Sequence, residues 1–331
     1  MKIKKLWQMP PETYTFKSHE QPAMIGSPGV PDHPHRRKVF YALVGIVLAL
    51  TGGLQNGLLT AVLPQLQGFL ALTPAEGGWI LVTYNMVNAC MSMLLFKCRQ
   101  QFGLARFIRA IIFALVLCNL IQVTTHSYHS ELLARGISGL AASGMNALAL
   151  FYFIQAMPVK WRLKGIACSI SLSQVALPLA RAIAPSLMDD GNLQAVFWLQ
   201  LGLSLNVLVL VSLLPLPHGY TQKAISKTDL VSLLCFALGV AALCAFFVQG
   251  RIVWWDKVEL GQLLLVALMG LGITLLIELN RKEPMIKLDW LRSKELLWLG
   301  LTAAFLRMVM SEQNVGSAGL LTALGMGNTQ M

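Results

Sequence analysis

Apolar residues run through this chain in long unbroken blocks, without the regular polar interruptions of a soluble helix. Nine blocks reach about 17 residues, the length at which a helix crosses the hydrocarbon core of a bilayer. They are 39–63, 78–96, 107–124, 132–154, 166–187, 195–214, 230–248, 260–279 and 296–321. All are apolar nearly all round, so period does not orient them. Pro64, Pro158, Pro215 and Pro284 punctuate the loops after spans one, four, six and eight. No loop is long enough for a separate soluble domain. The pattern predicts an all-α integral membrane bundle of about nine transmembrane helices.

Composition agrees. Of 331 residues, 56% are hydrophobic and 12% charged, against about 25% charged in a soluble domain. So few charges do not cover the aqueous surface of a 36.3 kDa globule with a mean hydropathy of +0.62. Lipid is therefore the solvent for most of the surface.

The net charge of +11 would point to nucleic acid in a soluble protein. Here it sorts by loop. Residues 1–38 hold seven basic residues and six prolines, with no apolar signal-peptide core, and read as a disordered cytoplasmic tail. The loops after spans two, four, six and eight carry, among others, Lys97, Arg99, Arg109, Lys160, Lys223 and Lys287. The opposite loops hold only Arg251 and Lys257 as basic residues. That bias puts the N-terminus in the cytoplasm. Glu76, Glu131, Asp189, Asp190, Asp256 and Glu259 fall on the outer side, with Trp254 and Trp255 at interface depth. An odd span count leaves residues 322–331 outside.

Polar groups inside spans are costly, so they usually face a cavity or a partner. Arg135 lies in span four, Arg181 in span five, and Arg307 and Glu312 in span nine. Arg135 either snorkels to the headgroups or meets another helix. Glu312 is the one acidic residue well inside a span. It reads as a titratable group for a proton-coupled machine, or as a structural carboxylate satisfied by neighbours such as Gln313 and Asn314. Glu278, at a span end, reads as solvated. Gln55, Asn56, Thr60, Asn85, Asn88 and Asn146 add uncharged polarity. Gly136, Gly139, Ala142, Ser143 and Gly144 allow close helix approach, and Pro178 and Pro185 should bend span five.

Soluble-enzyme chemistry is absent: the chain has no Walker loop, HExxH or nucleophile elbow. The six histidines lie in the tail or loops, and the six cysteines lack metal spacing. The reading is therefore no enzyme, no cofactor, no metal and no nucleic acid.

The stretch LQNGLLTAVLPQLQGFLALTPAEGGWILVTYNM, residues 54–86, resembles spans one and two of the EmrB/QacA type of 14-span drug:proton antiporters in the major facilitator superfamily. Leu54, Leu63, Pro64, Trp79 and Tyr84 match that family's pattern. Arg135 and Gly139 resemble its R-x-x-x-G motif. Phe102, Gly103 and Arg106 resemble its cytoplasmic loop motif, and Pro178 stands in the place of its G-P-x-x-G-G. RKEPMIKLDWLRSKE resembles the loop that follows two inserted helices. Departures accompany these matches. The span-one aspartate falls on Gln55, the loop aspartate and its following arginine on Gln100 and Gln101, and the glycines of the span-five motif on Leu177, Ala180 and Arg181.

The resemblance implies a six-helix half over 39–214, a linker with two inserted helices over 215–279, and a loop with the first helix of an incomplete second half over 280–331. It implies a small-molecule substrate held between two halves that rock around it. Gln55, Asn56, Arg135, Asn146, Glu312, Gln313 and Asn314 would line the substrate and ion pathway. Gln100, Phe102, Gly103, Arg106, Pro178 and Arg181 would form the gate and conformational motifs. The expected function is efflux of small organic compounds by proton antiport across an inner membrane, the two arginines favouring anionic groups. A periplasmic adaptor and an outer-membrane channel are partners by family analogy. The alternative is a truncated or degenerate relative that does not transport, since nine spans match a 14-span protein cut after its ninth.

Overall fold

A computed structural model describes residues 20–22, 26–125, 127–188, 193–217, 219–253, 258–281, 284–285, 293–312, 320 and 324, excepting the side chains of 251–253 and 310–312. Every regular element among them is helical. The helices are α1 (His35–Ala61), α2 (Leu63–Phe69), α3 (Pro74–Phe102), α4 (Leu104–Thr124), α5 (Tyr128–Ala156), α6 (Arg162–Leu187), α7 (Gln194–Leu213), α8 (Lys227–Val253), α9 (Val258–Leu279) and α10 (Lys294–Glu312). Eight of them, α1 and α3 to α9, are long and apolar enough to cross a membrane. Each contains most of one of the first eight apolar runs. The ninth run falls on α10 in its described part.

The chain divides into two compact units, Met1–Thr274 and Leu275–Met331. In the first unit α5 is central and packs against α1, α3, α4 and α6. Two apolar clusters fill the interior. One, around Leu48, Ile112, Met145 and Tyr152, lies toward the end that carries the basic connections. The other, around Leu58, Ile80, Ala180 and Phe197, lies toward the opposite end. Small residues set the helix spacing. A Cβ on Gly139 of α5 would stand 2.4 Å from the Tyr84 carbonyl oxygen of α3, so only glycine permits that approach. Helices α3 and α4 are joined through Gly103 alone, at φ +78°, a conformation open to glycine and strained for other residues.

Capping fixes two other starts. Thr73 and Glu76 form a capping box at α3, and Ser127 and Ser130 one at α5. Helix α6 runs on through Pro178 and Pro185.

The tail, expected to be disordered, is ordered over residues 26–34. Residues 26–34 lie against the basic end as an extended strap. The Gly26 amide donates to the Tyr220 carbonyl (2.8 Å), and Gln155 Nε2 donates to the Gly29 carbonyl (2.6 Å). That bond orients the Gln155 amide so that its Oε1 accepts from His33 Nε2 (2.9 Å). His33 is buried against Tyr41. Pro28, Pro31 and Pro34 carry no amide hydrogen and favour extended backbone, so the strap needs few partners. Composition favours disorder here, and these specific bonds override it.

Candidate functional site

A polar layer crosses the first unit where the two apolar clusters meet. On α1, Gln55 and Gln200 of α7 exchange reciprocal bonds, each side-chain amide donating to the other's backbone carbonyl at 3.2 Å. Asn119 of α4 donates to the same Gln200 carbonyl (3.2 Å) and to Ser204 Oγ (3.1 Å). Arg135 reaches this layer from α5. Its Nη1 donates to the Gln55 carbonyl oxygen (3.1 Å) and its Nη2 to Asn56 Oδ1 (2.7 Å). The guanidinium carbon lies 4.8 Å from the centroid of the Tyr84 ring on α3, within cation–π range.

Arg135 is 1% exposed. It does not snorkel. It ties α1, α3 and α5 together, and its Nε is the one guanidinium nitrogen left with no protein partner among the described residues. Sequence reasoning put Arg135 and Asn56 in one pathway, and the fold brings them into contact. Asn146 lies along the same α1–α5 seam, its Oδ1 facing Gly52, but its side chain is exposed. Glu312 ends α10 and its side chain lies outside the described residues, as do Gln313 and Asn314. Asp189, Asp190, Trp254, Trp255, Asp256 and Lys257 also lie outside them.

Two acids sit elsewhere than expected. Glu131 is not on an outer loop. It is in the first turn of α5, 1% exposed, where Gln122 of α4 donates to its Oε2 (2.7 Å). Its Oε1 has no partner among the described residues. One helical turn separates it from Arg135, a neighbour relation on one helix face. The pattern of apolar runs missed it because a helix extends past its apolar stretch, and a charged first turn reads as loop. Glu278 is not solvated either. It is 3% exposed, accepts from the Met285 amide (2.6 Å) and pairs with Arg281 at 3.6 Å.

Four of the gate-motif residues, Gln100, Phe102, Gly103 and Arg106, gather at the basic end. Phe102 stacks on Phe107 across the Gly103 joint, with ring centroids 6.1 Å apart. Arg106 is exposed on a cleft of about 510 Å³ shared with Gly103, Arg109 and Leu216. The Gln100 carbonyl accepts from the Gln222 amide (2.9 Å), and Gln101 Oε1 from the Ile225 amide (3.0 Å). Beneath them Lys97, expected in a loop, is a buried residue of α3 paired with Asp229 of α8 at 4.0 Å. Asp229 also accepts from the Ser226 amide (2.7 Å) and hydroxyl (2.8 Å). Pro178 and Arg181 lie apart from this corner, on α6. There Ala180 packs against Gly57 of α1, and Arg181 is half-buried.

The family model of the Major Facilitator Superfamily matches residues 44–313. The chain belongs to that superfamily.

It is therefore a multi-pass membrane protein of a transporter family. The chain is similar to the multidrug export protein EmrB of Haemophilus influenzae, with 23% identity over 76% of this chain and 51% of that protein. It is also similar to the probable multidrug resistance protein EmrY of Escherichia coli K12, at 21% over 73% of this chain and 47% of that protein. The multidrug resistance protein Stp of Mycobacterium tuberculosis matches at 21% over 71% of this chain and 44% of that protein. The chain spans about half the length of these relatives.

Proposed function

We propose that this superfamily member works in efflux of small organic compounds by proton antiport. It would sit in an inner membrane, with the N-terminus in the cytoplasm. The names of the relatives support the substrate class, and the excess of Lys and Arg on one set of connections supports the orientation. The observation that carries the reading is the buried clasp of Arg135 on Gln55 and Asn56. It places a fixed cation at the α1–α5 seam, about 10 Å from the end of a helix that rises 1.5 Å per residue. A transport pathway needs polar groups held at such depth.

All the donors that Arg135 directs at α1 meet protein oxygens, so the clasp supports a positioning role. Within the first unit, Asn56 and Asn146 are the residues left to line the pathway. The six-helix half over 39–214, the inserted helices over 215–279 and the second-half residues over 280–331 complete the proposal. A periplasmic adaptor and an outer-membrane channel would continue the route where the host has two membranes.

The test is accumulation of a panel of cationic and anionic fluorescent dyes in cells with and without the gene. Expression is confirmed on membranes. Lower accumulation of at least one dye, reversed by dissipating the proton gradient, is expected. Equal accumulation across the panel favours the second reading, a relative that does not transport. The glutamine at position 55, where the resembling antiporters have aspartate, favours that reading.

A further inference from the structure

We propose that Glu131 carries the coupled proton, and that its charge is set by whether Arg135 holds α1. This rests on the antiport reading and names the group that reading needs.

The observations are geometric. Glu131 is buried, and a single side-chain hydrogen bond, from Gln122, reaches its carboxylate. Its second oxygen is unpartnered among the described residues. The nearest cation on the same helix face, Arg135, directs both terminal nitrogens away, to Gln55 and Asn56. A buried carboxylate with one hydrogen bond and no ion pair among the described residues is costly as an anion. Its place in the first turn of α5 and the Gln122 bond favour the anion, but they leave one lone-pair face bare. A proton on Oε1 removes the charge and keeps the Gln122 bond.

If Arg135 leaves Asn56 and turns one helical turn back, it supplies the missing cation and the proton departs to water. The exchange balances. One proton leaves Oε1, and one ion pair replaces two bonds to neutral oxygens. Movement of α1 against α5 and loss of the proton then become one event.

The surroundings hold little that competes. On α4, the one titratable side chain near the Gln122 end is the buried Cys118. On α3, Tyr84 lies under Arg135, and Glu76 is exposed and engaged with Thr73. The outer part of α1, Leu54–Ala61, has no titratable side chain, and α6 contributes Arg181, half-buried.

The experiment is an infrared pH titration of the full chain in lipid nanodiscs, reading the C=O stretch of protonated carboxyl groups. Dye export in cells is measured in parallel. A band that persists near neutral pH, is lost in Glu131→Gln and is kept in Glu312→Gln is expected. Gln122→Leu, which removes the one side-chain bond to the carboxylate among the described residues, should move its midpoint up by about one to two pH units. Asn56→Ala, which frees Arg135, should move it down. These two variants keep Glu131 and remain informative if Glu131→Gln does not fold. A band unchanged by Glu131→Gln overturns the proposal, and a midpoint unmoved by Asn56→Ala overturns the link to Arg135. If the band behaves as expected while no dye is exported, the proton site stands and the antiport reading falls. If export keeps its pH dependence in Glu131→Gln, the site falls and the reading stands.

Discussion

Lys97 and Arg135 are both buried cations of one helix bundle, and they are held in opposite ways. Lys97 faces a carboxylate, Asp229, which is itself pinned by Ser226. Arg135 faces a carbonyl, an amide oxygen and an aromatic ring, all uncharged. Breaking a buried ion pair strands a charge and costs about 3–5 kcal/mol. Exchanging one neutral acceptor for another costs far less. The basic-end corner is therefore a staple between α3 and α8, whereas the layer around Arg135 holds its cation through uncharged groups.

The comparison breaks most sharply at the staple. Lys97→Met should lower stability by about 3–5 kcal/mol, read as a large fall in thermal midpoint by size-exclusion in detergent. Lys97→Met with Asp229→Asn should recover most of that loss; no recovery would show that the pair is not what holds the corner. Arg135→Leu should cost less, about 2–4 kcal/mol, from two lost charge-assisted bonds, the Gln55 carbonyl keeping its bond from Gln200. It should abolish export in any variant that still reaches the membrane.

Gly139→Ala tests spacing without touching charge. Its Cβ meets backbone at α3, so α3 and α5 must separate, at a cost of about 1–3 kcal/mol. Retained stability and export would show that the close approach is incidental.

The smallest effect concerns His33, outside the spans. Burial foremost, with Arg37 and Lys38 adding to it, pushes its pKa down from 6.5 to about 4 against the pull of the Gln155 bond. The strap thus prefers neutral histidine. Its contribution is complete above pH 6.5 and declines as pH falls from about 6.5 toward 4, because the released state binds the proton first. By pH 5 the loss should be about 1–2 kcal/mol, seen as faster amide exchange over residues 26–34. His33→Gln should flatten that pH dependence.

The course of the chain was written in its apolar runs. Eight of the nine lie within or nearly within helices that qualify as spans, since lipid leaves a backbone no other way to satisfy itself. What hid was anything decided at helix ends. Glu131 and Lys97 look like solvated flanks because hydropathy ends before the helix does, Glu278 because it stands in the last turn, and their partners Gln122, Asp229 and Met285 are set by packing. The Arg135–Asn56 contact was half legible. Two polar residues in apolar runs demand partners, and their identity as each other's partner needed the helix order. The strap was invisible, because proline-rich, basic sequence has no apolar signature.

That strap has a consequence for how the molecule is made. Residues 26–34 leave the ribosome before α1, yet His33 finds its acceptor 122 residues later, and Gly26 bonds the Tyr220 carbonyl beyond the sixth span. The strap must wait for these partners while α1 to α7 are threaded. Its docking then reports that the bundle is assembled, which makes residues 26–34 among the last of the described residues to reach their final place.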